Sequence, residues 1–530
     1  MKKVPSRPEN AGMLQLVEQL AVTRKKVLDE GRLEAVAKQH KKGQLTARER
    51  IAYLCDEQSF IEYGAFVEPI RNTRHNADLV APADGMVTGS GLIDGRPVTV
   101  AASDYTVMGG SVGINGRHKI VKAAKRAAEA GMPFIMLHDG GGHRVQDGLD
   151  ARHFASGNQI WDILAKMSGW VPVVSAIMGP GFAAASVYSS LADFVVMIRG
   201  KSAMGMAGPA LVRAGTGEEI DKEALGGAAT QVDRQGVAHL AVDNDQSCLD
   251  AIKGYLAYLP SNASCEPPKR DDPGTDAAAQ EVLLDIVPTN LRRAYDVRRV
   301  VKTIADPESV FEIQPTYARS IVVAFARMGG RPVGILANQP MVSAGIIDAG
   351  GSDKASHFIA LCDAFGLPLI FLIDVPGFII GSVAEATGLA RRSGRMIFEL
   401  GCATVPRFSV VMRKGYGMGF CAMAGGQPSF NVDGAIAWPT AEISAMSVEG
   451  AVDVAYRKEY EAHADPKKRR QEIIDEFRQQ LSPLRSAEHF HMDDVVDPRD
   501  TRSYLIDMIS RSPIRRQLQQ FPRKRSISPI

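Results

Sequence analysis

The sequence predicts an α/β fold built twice over, and three observations predict it. The first is a long internal repeat. Residues 95–142 (GRPVTVAASDYTVMGGSVGINGRHKIVKAAKRAAEAGMPFIMLHDGGG) align without a gap on 330–377 (GRPVGILANQPMVSAGIIDAGGSDKASHFIALCDAFGLPLIFLIDVPG), at a constant offset of 235 residues. The second is that each copy alternates β-branched runs with amphipathic helical stretches, the pattern of layered strands and helices. The third is length. A chain of 530 residues exceeds what one hydrophobic core ordinarily supports, about 250–300 residues, so two domains are expected.

Within the repeat, Gly95-Arg96-Pro97-Val98 falls on Gly330-Arg331-Pro332-Val333, Lys119 on Lys354 and Asp139 on Asp374. The offset then shrinks by one: Val171-Pro172 falls on Val405-Pro406, Gly181-Phe182 on Gly415-Tyr416 and Ala185 on Gly419. Each copy predicts a first strand (98–101; 333–336), a glycine-rich loop and a helix (118–130; 355–365). A short buried strand (134–137; 369–373) follows, ending in a glycine-rich turn, and then another apolar strand (171–177; 407–412). Repeated ββα units of this kind suggest two tandem crotonase-like (ClpP/crotonase spiral) domains related by duplication. The Pro-, Ser- and Asp-rich stretch PSNASCEPPKRDDPGTDAAAQ has linker composition. The expected division is therefore 1–262 for the first domain, 263–280 for the linker and 281–530 for the second domain. Charged helices are expected around the repeats, over 12–41, from 45 onward, over 465–480 and over 501–520.

Composition excludes several classes. A net charge of +2 gives no field for nucleic acid or a membrane surface. Six cysteines without a CxxC pair disfavour zinc ribbons and disulfide frameworks. The opening MKKVPSRPENAGMLQL lacks the apolar core of a signal peptide, and no apolar run reaches the roughly 18 residues of a membrane span. A soluble, cytoplasmic enzyme with no metal is the expectation. No GxSxG elbow, P-loop, dinucleotide GxGxxG or HExxH is present, nor an Ala-Met-Lys-Met segment able to accept biotin.

Two strand-end loops remain, Met178-Gly179-Pro180-Gly181-Phe182-Ala183-Ala184-Ala185-Ser186 and Arg413-Lys414-Gly415-Tyr416-Gly417-Met418-Gly419-Phe420. Each precedes a helix, and a small-residue loop there aims backbone N–H groups at whatever lies above it. Such donors can form an oxyanion hole worth about 3–4 kcal/mol each; tight packing is the competing explanation for either loop alone. The turns 139–143 and 374–378 could present further amides, their acids serving as turn residues rather than bases. His138, His143 and His153 lack metal-site spacing and read as solvated or hydrogen-bonded. Cys421 reads as a small apolar wall residue.

The run NQPMVSAGIIDAGGSDKASHFIALCDAFGLPLIFLIDVPGF, the loop RKGYGMGFCAM, the early GQLTARERIAYLCDEQSFIEYG and the late HMDDVVDPRDTRSYLI resemble the carboxyltransferase (β) subunits of biotin-dependent acyl-CoA carboxylases, the propionyl-CoA, methylcrotonyl-CoA and acetyl-CoA carboxylase β-chain family. The resemblance covers nearly the whole chain. It implies a ring-shaped homohexamer whose active sites join the first domain of one subunit, holding acyl-CoA, to the second domain of another, holding carboxybiotin. Biotin would arrive on a separate biotin carboxylase/biotin carboxyl carrier (α) subunit. An acyl-CoA enolate would be carboxylated at its α- (or vinylogous γ-) carbon, between two backbone oxyanion holes. By the same resemblance Met418 and Gly419 take the biotin-side oxyanion position and Ala184 and Ala185 the thioester-side position. Gly417, Phe420, Cys421, Gly141, Gly142 and Gly181 line the substrate and biotin sites. The chain departs from the family at Ala184-Ala185, where Gly-Gly is usual, and at Cys421, where propionyl-type enzymes often carry Asp. The competing functions are a biotin-dependent decarboxylase or transcarboxylase, a crotonase-type hydratase or isomerase, and a non-enzymatic scaffold.

Overall fold

A computed structural model describes residues 12–71, 77–151, 155, 157–426 and 432–515. The chain divides into two compact units, 1–256 and 257–530, and each carries one mixed eight-stranded sheet. Residues 257–280 fall in the second unit, where the Arg270 amide donates to the Gly330 carbonyl at 3.0 Å.

In the first unit the sheet order is β1 (Ile61–Tyr63), β2 (Met86–Ile93), β3 (Arg96–Ser103), β4 (Phe134–Gly140), β5 (Val173–Phe182), β6 (Phe194–Ile198) and β8 (Leu240–Val242), with β7 (Ala203–Gly205) paired to the far end of β5. The second unit repeats it with β9 (Phe311–Ile313), β10 (Ile321–Met328), β11 (Arg331–Asn338), β12 (Leu369–Val375), β13 (Arg407–Tyr416) and β14 (Gly434–Ala437). There β15 (Glu442–Ser444) pairs with the end of β13 and β16 (Asp494–Val495) closes the edge. The strand pairing reproduces the repeat residue by residue. Thr99 faces Phe134 as Gly334 faces Leu369, at the offset of 235, and Phe134 faces Val173 as Leu369 faces Arg407. The one-residue slip read in the sequence therefore falls between β4 and β5.

The parallel strands are largely apolar because both of their faces are covered, with charged residues near their ends. All seven residues of β4 and all seven of β12 are buried. Phe134, Val173 and Met197 anchor the first core, and Ile370, Val410 and Trp438 the second. A side chain of this size contributes about 1.5–3 kcal/mol on full burial. The helix Ile114–Ala130 stops at Gly131 and its counterpart Ala349–Phe365 at Gly366, both in the left-handed conformation that glycine adopts without penalty. The repeated lysine has a structural role. Lys354 Nζ donates to the carbonyls of Gln314, Tyr317 and Ile321 at 2.8, 3.0 and 2.7 Å, and Lys119 Nζ to those of Gly64, Ala83 and Met86.

The flanking helices are shorter than the sequence suggests. The expected helix over 12–41 is two helices, Met13–Val27 and Leu33–Lys41, because Leu28 turns extended and the chain takes a short 3-10 turn through Asp29–Arg32. That turn places the Asp29 carboxylate to accept from Thr46 Oγ1 at 2.6 Å. Thr46 in turn caps the helix Ala47–Leu54 through a capping box with Glu49. The helix expected over 501–520 runs Thr501–Arg511, and its last expected residues, 516–520, lie outside the described residues.

Candidate active site

In each unit the longest strand runs past its partner helix and ends in a sharp turn. Strand β5 ends at Phe182, and Ala183 turns the chain with φ +56° and ψ −116° into the helix Ala184–Ser190. Strand β13 ends at Tyr416, and Gly417 does the same with φ +58° into the helix Gly417–Ala422. The pairing of Phe182 with Gly205 and of Tyr416 with Ser444 makes these turns equivalent. A turn of this kind uncovers the first amides of the following helix. Neither Ala184 and Ala185 nor Met418 and Gly419 donate their backbone N–H to an acceptor among the described residues. Each half thus presents two adjacent free amides at the end of its central strand.

The first loop is stapled by Ser186, whose hydroxyl donates to the carbonyls of Gly181 and Gly205 and accepts from the Gly205 amide at 2.7 Å. Gly181 is buried within this staple, and a Cβ there would press on Ile177 at 3.1 Å. In the second loop a Cβ on Gly419 would stand 2.9 Å from the Gly377 Cα and 3.0 Å from Val375 Cγ2, so the loop rests directly on the turn after β12. Gly419 is buried, while its neighbour Met418 is 59% exposed. The positive φ of this loop belongs to Gly417, not Gly419. Phe420 is a packing residue: its ring fills the space left by Gly415 and Gly425, where a Cβ would come within 2.8 and 2.2 Å of it. Cys421 is half-buried one residue further on.

Asp139 and Asp374, expected as turn residues, lie instead within the buried strands β4 and β12, where ion pairs lock them. Asp139 is buried and accepts from Arg50 Nη1 at 2.7 Å and from Gln39 at 3.2 Å, and Arg50 also binds Asp245 at 2.8 Å. Asp374 is buried against Arg413 Nε at 2.8 Å, and the Arg413 guanidinium lies over the Tyr295 ring at 4.8 Å. Both halves therefore use the repeated aspartate to hold a buried arginine, which leaves neither free as a base.

The first loop opens on a cavity of about 520 Å³, whose wall includes Ala184, Ala185 and Gly142. Gly142 sits at φ +82° and its carbonyl accepts from Val112 at 2.8 Å. Gly141 is exposed, with its amide on the Gly109 carbonyl at 3.2 Å, and neither it nor Gly181 lines the cavity. The cavity also takes in residues the sequence left unassigned: Arg117 from the helix Ile114–Ala130, His138 from β4, His143 from the turn, and Trp161 with Tyr188. His138 is buried, and one of its ring nitrogens lacks the solvent or hydrogen-bond partner the sequence suggested. It is 7% exposed, its Nε2 has no partner, and burial pushes its pKa down to about 4. Burial also lowers the pKa of His143, helped by the Arg117 charge. Tyr188 accepts from Asn158 Nδ2 at 2.6 Å, packs against Trp161 with ring centroids 4.8 Å apart and planes tilted by 52°, and has its pKa raised by burial. The third histidine of the sequence cluster, His153, lies outside the described residues. Among the described residues no group of His, Cys, Asp or Glu is arranged to hold a metal ion, and no helix is long and apolar enough to cross a membrane.

Residues 38–527 match the carboxyl transferase domain. The chain belongs to that family. It is a carboxyltransferase of the biotin-dependent acyl-CoA carboxylase type, with the duplicated crotonase-like fold. It is 40% identical over 492 residues to the propionyl-CoA carboxylase carboxyltransferase subunit of Haloferax mediterranei, covering 92% of this chain and 94% of that one. It is 38% identical over 506 residues to the methylmalonyl-CoA decarboxylase subunit alpha of Veillonella parvula, covering 95% and 97%. The crystal structure of the transcarboxylase 12S hexamer, solved with methylmalonyl-coenzyme A and methylmalonic acid bound, superposes with a TM-score of 0.92 at 38% identity, covering 99% of this chain and all of that one.

Proposed function

We propose that this carboxyltransferase moves a carboxyl group between carboxybiotin on a separate carrier subunit and the carbon next to an acyl-CoA thioester, with one free amide pair serving each carbonyl. The observation that carries this reading is the duplicated amide pair, of which the first faces a cavity large enough for an acyl thioester. The amides of Ala184 and Ala185 hold the oxygen of the thioester enolate. Those of Met418 and Gly419 hold the ureido oxygen of biotin, which supplies the activated carboxyl group when bound. Each donor aimed at developing charge contributes about 3–4 kcal/mol. With Asp139 and Asp374 locked in ion pairs, neither carboxylate is asked to move the α-proton.

Gly142 and Gly181 shape the thioester side, and Gly417 and Phe420 the biotin side, by backbone conformation and packing. Cys421 completes the biotin-side wall, whereas Gly141 is exposed and stands outside the cavity. The assembly proposed is a homohexamer, supported by the hexamer of the transcarboxylase relative. The decarboxylase relative keeps the reverse direction open as a second reading, which needs the same amide pairs.

The test is transfer between methylmalonyl-CoA and free biotin by the purified full chain, without ATP. Biotin-dependent loss of the carboxyl group is expected. Hydration or isomerisation of acyl-CoA without biotin, or no turnover of any acyl-CoA, would overturn the reading.

A further inference from the structure

The two amide loops are fastened to their sheets in different ways. In the first unit the Ser186 hydroxyl staples the loop to Gly181 and Gly205. The Phe182 ring at the end of β5 packs beside it, 3.5 Å from where a Cβ on Gly205 would stand and 3.3 Å from one on Gly208. The second unit has neither device. In the register where Gly181-Phe182 falls on Gly415-Tyr416, Ser186 falls on Phe420, which has no hydroxyl. Instead the phenol of Tyr416 reaches across to β15 and donates to Glu442 Oε2 at 2.9 Å. Strand pairing puts Glu442 where the first unit has Ala203, since Lys414 faces Glu442 as Pro180 faces Ala203. Both hydrogen-bonding side chains therefore belong to the second unit alone.

Among the described residues this is the only side-chain hydrogen bond made by residues 415–422, the stretch that carries the free amides. Tyr416 is 5% exposed, and burial beside the Glu442 charge pushes its pKa up, so the phenol keeps its proton at neutral pH. Glu442 lies 3.9 Å from Arg478 Nε, and Arg478 Nη2 binds Glu449 at 2.8 Å. Arg478 ends the helix Pro466–Arg478, which packs on the helix Val448–Ala455 through Val448, Val452, Ile473 and Ile474. A helix pair with a small core of its own thus holds the acid, and the acid holds the phenol one residue before the turn at Gly417. The Ala445 carbonyl oxygen, one residue past β15, would stand 2.9 Å from a Cβ on Gly417, so β15 fixes the place of the turn as well as its tether.

We propose that Tyr416 and Glu442 are positioning residues for carboxyl transfer, their hydrogen bond setting the aim of the Met418 and Gly419 amides at the biotin oxygen. The inference rests on the carboxyltransferase reading above and adds how its biotin side is held in register. A bond from a phenol to an ionised carboxylate is shorter and about twice as strong as a neutral one. Oxyanion donors act by being preorganised, and a displacement of about 1 Å at a reacting group can cost on the order of 10² in rate. The first loop is stapled from within by Ser186; the second depends on one bond between two strands.

The test is transfer from methylmalonyl-CoA to free biotin by the full chain, measured for Tyr416→Phe, Glu442→Gln, Glu442→Ala and the double variant Tyr416→Phe/Glu442→Ala. Tyr416→Phe, the residue type the first unit carries at Phe182, should lower kcat by about 10- to 100-fold and leave the KM for methylmalonyl-CoA at the wild-type value. Glu442→Ala should do the same, and the double variant should be no slower than the slower single one. Glu442→Gln, which keeps an acceptor oxygen, should lose less than Glu442→Ala. A wild-type rate in Tyr416→Phe overturns the proposal. So do single losses that multiply in the double variant, which would make the two residues independent. A loss that disappears when each variant is assayed well below its melting temperature also overturns it, leaving the tether a matter of stability alone. If wild type binds the thioester but moves no carboxyl group to biotin, the carboxyltransferase reading falls and the proposal with it.

Discussion

Ala183 and Gly417 occupy the same place in the two units with nearly the same positive φ, +56° and +58°, yet only one of them is glycine. The turn that leaves the two following amides free demands a positive φ at this point. The second unit meets the demand with a residue that has no Cβ, and the first accepts strain of about 1–3 kcal/mol.

Exchanging the two residue types should therefore have opposite effects. Ala183→Gly should stabilise the protein by about 1 kcal/mol once the added chain entropy of glycine is offset against the strain removed. Gly417→Ala should destabilise it by more, since its Cβ would come 2.9 Å from the Ala445 carbonyl oxygen. Thermal denaturation of both variants checks the pair, and a lower melting temperature for Ala183→Gly would contradict the strain.

Gly419 makes a different prediction, because its constraint is contact rather than φ. Gly419→Val would drive a branched side chain into the Gly377 backbone and pull the amides off target. Transfer to free biotin should fall by about 10²–10³ in kcat, the cost of one lost oxyanion donor, while thioester binding to the first unit stays at the wild-type level. Ala184→Gly, which keeps its amide, should transfer at close to the wild-type rate. Rate measurements beside a binding titration separate the two sides of the site.

His138 sets a pH dependence. With its pKa near 4 in the fold and near 6.5 when unfolded, the unfolded chain binds the extra proton between those values. Its contribution is complete above pH 6.5 and is lost as pH falls toward 4, by about 3 kcal/mol. His138→Asn should flatten the stability profile in that window by one proton's slope, as read by urea denaturation from pH 7 to 4.5.

The repeated ion pairs should behave as structure, not catalysis. Removing one partner strands a buried charge, so Arg50→Met and Arg413→Met should each cost about 3–5 kcal/mol. Double substitution of Asp374 and Arg413 by apolar residues should recover part of that loss. Denaturation midpoints of the single and double variants measure it.

The sequence by itself determined the duplication, the order of strands and helices, and the position of the two amide loops. These follow from local signals that need no tertiary partner: apolar runs of strand length, glycines that stop helices at 131 and 366, and a constant offset that fixes which residue pairs with which. It also set Asp139 and Asp374 aside as bases, but as turn residues; the structure places both within strands, where each holds a buried arginine. Only the tertiary structure decided which residue carries the left-handed turn, because φ at 183 and 417 is set by where β5 and β13 let go of β7 and β15. The tertiary structure likewise decided what lines the cavity. Arg117 and His138 are 21 residues apart on a helix and a strand, and nothing in their spacing links them. They share a wall only because a right-handed crossover folds that helix back over the parallel strands.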